Sequence, residues 1–113
     1  MNKTVKKSQD PNFDIINPSF IINNKQKISV KAERGNFISE QKILLEKNVV
    51  FKSSKFKLQT NKVVYNRKNQ TAKSKESSKF QSDGTIIVSE GFEITDNGNI
   101  IFFNGKTKLN LNN

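Results

Sequence analysis

The sequence predicts an all-β fold, a single open antiparallel β-stack with almost no helix. Short segments of alternating apolar and polar residues recur along the chain, and no segment shows a convincing helical period. Similar strands end in the small residues Ala32, Thr60 and Ser89, which lie 28 and 29 positions apart. Asn48 and Asn104 lie 56 positions apart, which is two of the same periods. Such repetition predicts stacked β-strands that share one apolar face.

The composition limits the chemistry that the chain can perform. Its 113 residues suit one domain, and a hydrophobic content of 33% predicts a thin core. Cysteine, histidine and tryptophan are absent, which removes disulfides, the commonest metal ligands and the usual general base near neutral pH. We therefore expect no enzyme, with no catalytic residue, no metal and no cofactor. The lack of cysteine fits both a reducing cytosol and an oxidising periplasm, so it leaves the compartment open.

The net charge of +10 is unevenly distributed along the chain. Residues 1–40 carry a net +3, residues 41–82 a net +9 and residues 83–113 a net −2. In the middle segment lysines alternate with apolar residues, as in Lys55-Phe56-Lys57-Leu58. Because successive side chains of a strand point to opposite faces, this pattern predicts a basic outer face and an apolar inner face.

Turn signals predict where each element begins and ends. Residues 1–15 are expected to form a flexible N-terminal segment or linker, and residues 16–113 the β-domain. Asn17-Pro18 precedes a first strand at 19–23, and Asn24-Lys25 forms the first turn. Asp83-Gly84 and Asn97-Gly98 are the clearest hairpin turns. Further strands are predicted at 26–32, 36–39, 42–51, 55–60, 62–67, 71–75, 85–89, 91–95, 99–104 and 106–111.

Side-chain parity predicts which residues face the apolar side. Lys47 has the parity of Leu45 and Val49, so we expect a β-bulge at Lys47-Asn48 that turns it outward. A single alternating apolar residue is usually core, but an open sheet must cover its whole apolar face with something else. The predicted inner residues are Ile28, Val30, Ala32, Leu45, Val49, Phe51, Phe56, Leu58, Ile86, Val88, Phe92, Ile94 and Phe103, and Ile101, Leu109 and Leu111 continue the same face.

The order of these strands resembles the LptC family of periplasmic lipopolysaccharide-transport proteins. The resemblance covers residues 16–111, and it rests on the order and spacing of several motifs together. These are Ile16-Asn17-Pro18-Ser19-Phe20, Ile28-Ser29-Val30-Lys31-Ala32-Glu33, Leu44-Leu45-Glu46-Lys47-Asn48-Val49, Leu58-Gln59-Thr60, Val64-Tyr65-Asn66, Gly91-Phe92-Glu93-Ile94-Thr95-Asp96 and Ile101-Phe102-Phe103-Asn104-Gly105-Lys106.

The resemblance implies an open, V-shaped β-jellyroll of the superfamily that includes LptA and the N-terminal domain of LptD. Members of the family are anchored in the inner membrane by an N-terminal helix. They accept lipopolysaccharide from an ABC transporter of the LptB/LptF/LptG type and pass it to LptA along an apolar trough. Such a protein is periplasmic and inner-membrane associated. The anchor is not present in this sequence, which leaves a truncated chain, a start site assigned too late or a version that works without an anchor, and we favour the first two.

The resemblance also implies a role for the predicted inner residues and for the two edges of the sheet. The thirteen inner residues from Ile28 to Phe103 would line a lipid-binding trough. The C-terminal edge, with Lys106, Thr107, Leu109 and Leu111, would dock an LptA-like jellyroll. The N-terminal edge, with Phe20 and Ile22, would face the transporter. No nucleic acid is expected as a partner.

Two other functions stay open from the residues alone. A basic β-barrel that binds nucleic acid would explain the lysine-rich strands and a pI near 10.0. Against it, only Arg34 and Arg67 are arginines, and the phenylalanines share a face with aliphatic residues rather than with lysines. The residue usage of an AT-rich genome would also inflate the charge. A purely structural β-domain, which binds neither lipid nor oligonucleotide, is the third possibility.

Overall fold

The structure, a computed structural model, describes residues 14–23 and 25–111 and places them in one antiparallel sheet. The predicted all-β jellyroll fold is confirmed, since the helical part of the described chain is limited to a 3-10 turn at Asp96–Gly98. In this range no helix has the length and apolar character needed to cross a membrane. The strands are β1 (Asp14–Ile16), β2 (Ser19–Ile22), β3 (Ile28–Lys31), β4 (Arg34–Phe37), β5 (Lys42–Lys52), β6 (Phe56–Asn66), β7 (Thr71–Ser74), β8 (Ser78–Ser82), β9 (Thr85–Thr95) and β10 (Ile100–Leu111).

The ten described strands occupy seven neighbouring positions in the sheet. β1 and β2 run end to end beside β4 and β3, which both pair with the long strand β5. β5 pairs with β6, and β7 and β8 lie end to end between β6 and β9. β10 pairs with β9 and forms the C-terminal edge of the described sheet. The sequence repeat therefore corresponds to a hairpin of two neighbouring positions.

Each position is interrupted near its middle. The bulge predicted at Lys47-Asn48 is confirmed, because the pairing of β5 with β6 shifts register there and the two residues have φ angles of 68° and 50°. The pairing of β9 with β10 shifts in the same way where Gly105 has a φ of 75°. These interruptions form a line across the sheet, which we call the crease. It passes through Asn17, Ala32, Lys47, Asn61, Glu76, Glu90 and Gly105.

The crease changes which residues of a strand face inward. Buried residues on its two sides are three positions apart, as with Thr60 and Val63 in β6 and Ser89 and Phe92 in β9. A regular strand would place residues three apart on opposite faces. Side-chain parity therefore cannot be counted across the crease.

The prediction that Ile86 and Val88 face inward is wrong. Ile87 pairs with Phe80 on one side and Leu109 on the other, and these neighbours lie on the inner face. Val88 is 39% exposed on the outer face. Three consecutive apolar residues carry no alternation that could have revealed the inner one.

The crease divides the sheet into two halves that pack inner face against inner face. Half A contains 19–23, 25–31, 49–60, 78–89 and 107–111, and half B contains 14–16, 34–46, 62–74 and 91–104. Phe51 of half A meets Phe92 of half B edge-on, with ring centroids 5.9 Å apart. Phe20 and Tyr65 join the halves nearer the N-terminal edge, with centroids 4.8 Å apart. The core lies between the halves.

Hydrogen bonds between turns also connect the two halves. The Asn23 and Gln26 side-chain amides both donate to Asn99 Oδ1, each at 2.9 Å. The Asn23 backbone N–H donates to Gln70 Oε1 at 3.3 Å. The turn after β2 in half A is thereby tied to the turns after β6 and β9 in half B.

Two strands escaped the sequence analysis. β1 has one half-buried residue, Ile15, between two exposed ones, and β8 has Phe80 as its one apolar residue. Strands this short or with a single apolar residue give no alternation to detect. The first described strand starts at Asp14, inside the expected segment 1–15, whose first thirteen residues lie outside the described chain, as do Asn24 of the first turn and residues 112–113. Several predicted strands also merge: 55–60 with 62–67, 85–89 with 91–95, and 99–104 with 106–111.

Replacing Gly91 should test the close packing at the crease. A Cβ at this position would lie 2.6 Å from the backbone carbonyl oxygen of Ser74. We expect Gly91→Ala to lower the free energy of unfolding in urea by about 1–3 kcal/mol. Asn61→Ala, an exposed crease position on β6, is the control and should stay within about 0.5 kcal/mol of the parent. Equal stability of the two variants would contradict this packing.

Candidate functional site

Two apolar rows face each other across the inside of the folded sheet. Each row consists of residues that are direct cross-strand neighbours, so it runs perpendicular to the strands. We call the space between the rows the trough. The row of half A is Phe20, Val30, Phe51, Leu58, Phe80, Ile87 and Leu109. The row of half B is Phe37, Ile43, Tyr65, Ala72, Ile94 and Ile101.

The trough is closed in its middle because the two rows cover each other. Val30, Phe51 and Leu58 of half A and Ile94 of half B have no exposed surface. Burying an aliphatic or phenylalanine side chain of this size stabilises a fold by about 1.5–3 kcal/mol. The middle of the trough is therefore also the core of the protein.

Within the part of the chain that the structure describes, the N-terminal end of the trough is open. A cavity of about 360 Å³ is lined there mainly by Ile15, Phe20, Phe37 and Tyr65. The Arg67 guanidinium lies 5.1 Å from the centre of the Phe37 ring and donates from Nη2 to the Glu40 carbonyl oxygen at 2.9 Å. Burial raises the pKa of Tyr65 above its ordinary value, and the positive charge of Arg67 opposes this rise. The opening is thus apolar, with one positioned cation at its margin.

The C-terminal end of the trough is open as well. Phe80 stacks on Phe56 and meets Phe103 edge-on, in both cases with ring centroids 5.5 Å apart. Beyond these rings the row of half A ends at Leu109, which is 57% exposed. Within the described chain β10 has a pairing partner on one side only, namely β9. Inner face and backbone edge are therefore both uncovered there.

Most of the sequence-predicted trough residues lie on the inner face. Nine are buried: Ile28, Val30, Ala32, Leu45, Val49, Phe51, Leu58, Phe92 and Ile94. Phe56 and Phe103 are half-buried against the core, whereas Ile86 and Val88 lie on the outer face. Of the two rows, the sequence analysis missed Phe37, Ile43, Tyr65, Ala72, Phe80 and Ile87. For Tyr65 the alternation with Val63 on β6 was the available signal, and for Phe80 there was none.

The predicted edge residues have different surroundings. Thr107, Leu109 and Leu111 share the inner face of β10, as their pairing with Ser89, Ile87 and Thr85 requires. Lys106 lies at the crease, where its backbone N–H donates to Glu90 Oε1 at 2.9 Å. At the N-terminal edge Phe20 is half-buried, but Ile22 is 1% exposed and belongs to the core. A partner at that edge would meet the β2 backbone rather than the Ile22 side chain.

The described residues hold no group of three or more histidine, cysteine, aspartate or glutamate side chains placed to bind a metal ion. The profile of the family described as "LptC: Lipopolysaccharide-assembly, LptC-related" matches residues 2–111. A comparison with curated proteins gives no match. The family match includes both apolar rows, the crease and both edges of the described sheet.

Substitutions of two phenylalanines should distinguish the closed middle of the trough from the outer surface. Phe51→Ala removes a fully buried ring that contacts Phe92, so we expect the free energy of unfolding to fall by about 3–5 kcal/mol. Phe102→Ala is the matched control, since Phe102 is 52% exposed, and it should change stability by less than about 0.5 kcal/mol. Urea unfolding measures both, and similar losses would contradict the assignment of faces.

Proposed function

The chain belongs to the LptC-related lipopolysaccharide-assembly family, and we propose that it carries lipopolysaccharide along the trough. Members of the family are transport proteins of the lipopolysaccharide machinery, and the family is periplasmic and associated with the inner membrane. In our proposal this chain accepts lipopolysaccharide from an ABC transporter of the LptB/LptF/LptG type. It then passes the lipid to an LptA-like jellyroll.

The observation that carries the proposal is the unbroken apolar row of half A. It reaches from Phe20 on the N-terminal edge strand to Leu109 on the C-terminal edge strand. Lipid acyl chains are the natural occupants of a continuous apolar path, because each buried methylene contributes about 0.8 kcal/mol. The sugars and phosphates would stay outside, in contact with water.

Opening the closed middle requires little net loss of apolar contact. Acyl chains that enter between Phe51 and Phe92 cover the same inner surfaces that the two halves cover for each other. One apolar covering replaces another, so the hydrophobic contribution is largely conserved. The aromatic contacts at the two ends, such as Phe80 with Phe103, would separate first because they are already half-exposed.

The two ends differ in a way that suggests a direction. At the N-terminal opening Arg67 can pair with a phosphate of an arriving lipid, which suits the end that faces the transporter. At the C-terminal end Leu109 and Leu111 lie on an uncovered edge strand. A second jellyroll that pairs with β10 would continue both the sheet and the apolar row.

Adjacent residues of β9 should distinguish the trough from the outer face. In solution without vesicles, photo-crosslinking side chains at Ile87, which faces the trough, should capture lipopolysaccharide, whereas the same group at Val88 should not. The pair is matched in size, strand and distance from the C-terminal edge. Equal capture at both positions, measured by gel shift of the crosslinked species, would count against lipid transport in the trough.

Docking at the C-terminal edge can be tested with two neighbouring substitutions. Leu109→Glu places a charge in the apolar row where a partner would continue it, and we expect at least a tenfold loss of affinity for an LptA-like jellyroll. Lys108→Glu makes a larger charge change on the outer face and should leave the affinity within about threefold. Removing residues 106–113 should abolish binding while the β-sheet circular dichroism signal persists. Undiminished binding by the shortened chain would mean that the ends are assigned in the wrong order.

A further inference from the structure

Most of the protein's excess positive charge lies on one half of the folded sheet. Half A carries eight lysines and one aspartate, whereas half B carries six basic and five acidic residues. The basic residues of half A are Lys25, Lys27, Lys31, Lys52, Lys55, Lys57, Lys79 and Lys108. If the excess of lysine came only from the residue usage of an AT-rich genome, both halves would carry similar numbers of lysines. The uneven distribution of lysines indicates that the positive charge has a role on the surface of half A.

Five of these lysines share the outer face of half A, which we call the lysine face. The cross-strand neighbours along it form two lines: Ser29, Lys52, Lys57, Gln81, Ile86 and Asn110, and Ser19, Lys31, Val50, Gln59, Lys79, Val88 and Lys108. Four of the lysines are exposed and Lys57 is half-buried. The strand positions of this face in the described chain contain no acidic residue.

On the outer face of half B, by contrast, acidic and basic residues are cross-strand neighbours. Arg34 pairs with Glu46 across the strands, and Glu46 in turn pairs with Lys62. Arg34 also forms an ion pair with Asp14, with 2.6 Å between Nη2 and Oδ2. The usual alternation of sign between neighbouring strands is therefore present in this protein, but on one half only.

Lys52 and Lys57 show that the lysine face is not arranged for stability. They lie directly opposite each other on β5 and β6, and their other neighbours are Ser29 and Gln81, which are uncharged. Like charges in directly opposed positions destabilise a sheet. The arrangement is explained if an anion outside the protein neutralises these charges.

We propose that the lysine face lies against a membrane surface of anionic phospholipid. The face is one side of a regular sheet, and its charges are all lysine, which attracts anionic headgroups as a point charge. Between the lysines lie aliphatic side chains that a headgroup layer can accept, among them Ile21, which is 59% exposed, and Val88. Single-stranded nucleic acid is a poorer fit, because none of the described strand positions of this face holds an arginine or an aromatic residue for stacking.

This placement would have a consequence for lipid transfer, if the proposed function is correct. The trough lies on the other side of half A, so a protein resting on its lysine face would hold the trough parallel to the membrane and one sheet thickness above it. A sheet of this kind is roughly 10 Å thick with its side chains. Lipopolysaccharide delivered by the transporter would then reach the N-terminal opening close to the membrane surface.

Vesicle co-sedimentation of the full chain tests the proposal without lipopolysaccharide. We expect binding to phosphatidylcholine vesicles that contain phosphatidylglycerol, weakened by added salt, and none to phosphatidylcholine alone. The variant Lys52→Gln, Lys57→Gln, Lys79→Gln should lose about fivefold in partition coefficient for each lysine, roughly a hundredfold in all. The matched control Lys42→Gln, Lys62→Gln, Lys73→Gln makes the same change of net charge on half B, and it should lose less than about fivefold.

Equal losses in the two triple variants, or no binding to anionic vesicles at low salt, would overturn the proposal. So would release of the protein from vesicles by an equal phosphate concentration of single-stranded oligonucleotide, which would show a preference for nucleic acid. The unfolding midpoint of the lysine-face variant shows whether it folds. Because Lys57→Gln removes a like-charge pair, this midpoint should not fall. Lipid capture at Ile87 should be unchanged in the lysine-face variant, so the transport proposal and this one can fail separately.

Discussion

A sheet with one apolar face must cover that face, and this protein does so by folding the sheet upon itself along the crease. The contact of Phe51 with Phe92 lies at the centre of that arrangement, where the two halves leave no exposed surface. Bulges at Lys47-Asn48 and Gly105 allow long strands to bend there without leaving the sheet. A chain with only a third of its residues hydrophobic obtains its core in this way.

Because the sheet is folded in this way, the same apolar rows form both the core and the proposed path for the lipid. The closed middle of the trough and its open ends belong to one pair of apolar rows, so the protein needs no separate cavity for a lipid. Because acyl chains and the opposing half are equivalent coverings, filling the trough changes what covers Phe51 rather than whether it is covered. Charge is divided along the same line: half A is basic outside, half B is nearly balanced, and the space between them is apolar.

Regular alternation made much of this predictable from the sequence. Parity correctly predicted the inner residues Ile28 and Val30 of β3 and Leu45, Val49 and Phe51 of β5, and the conflict at Lys47 correctly predicted a bulge. Alternation failed at Ile86 and Val88, because three consecutive apolar residues give no signal for the inner one. β8 escaped detection because Phe80 is its one apolar residue, and the opening beside Arg67 could not be foreseen because tertiary packing brings Phe20 to Tyr65. The division of charge between the halves likewise depends on knowing where each strand crosses the crease.

The most direct test of this account is the distance between the two halves during lipid binding. The sequence contains no cysteine, so Lys31→Cys on the outside of half A and Lys73→Cys on the outside of half B can be spin-labelled specifically. Pulsed electron paramagnetic resonance then measures the label separation as lipopolysaccharide is added. If acyl chains enter between the apolar rows, the separation should change to a longer, saturable value that follows lipid binding. An unchanged distance distribution at saturating lipopolysaccharide would contradict a trough that opens to hold its cargo.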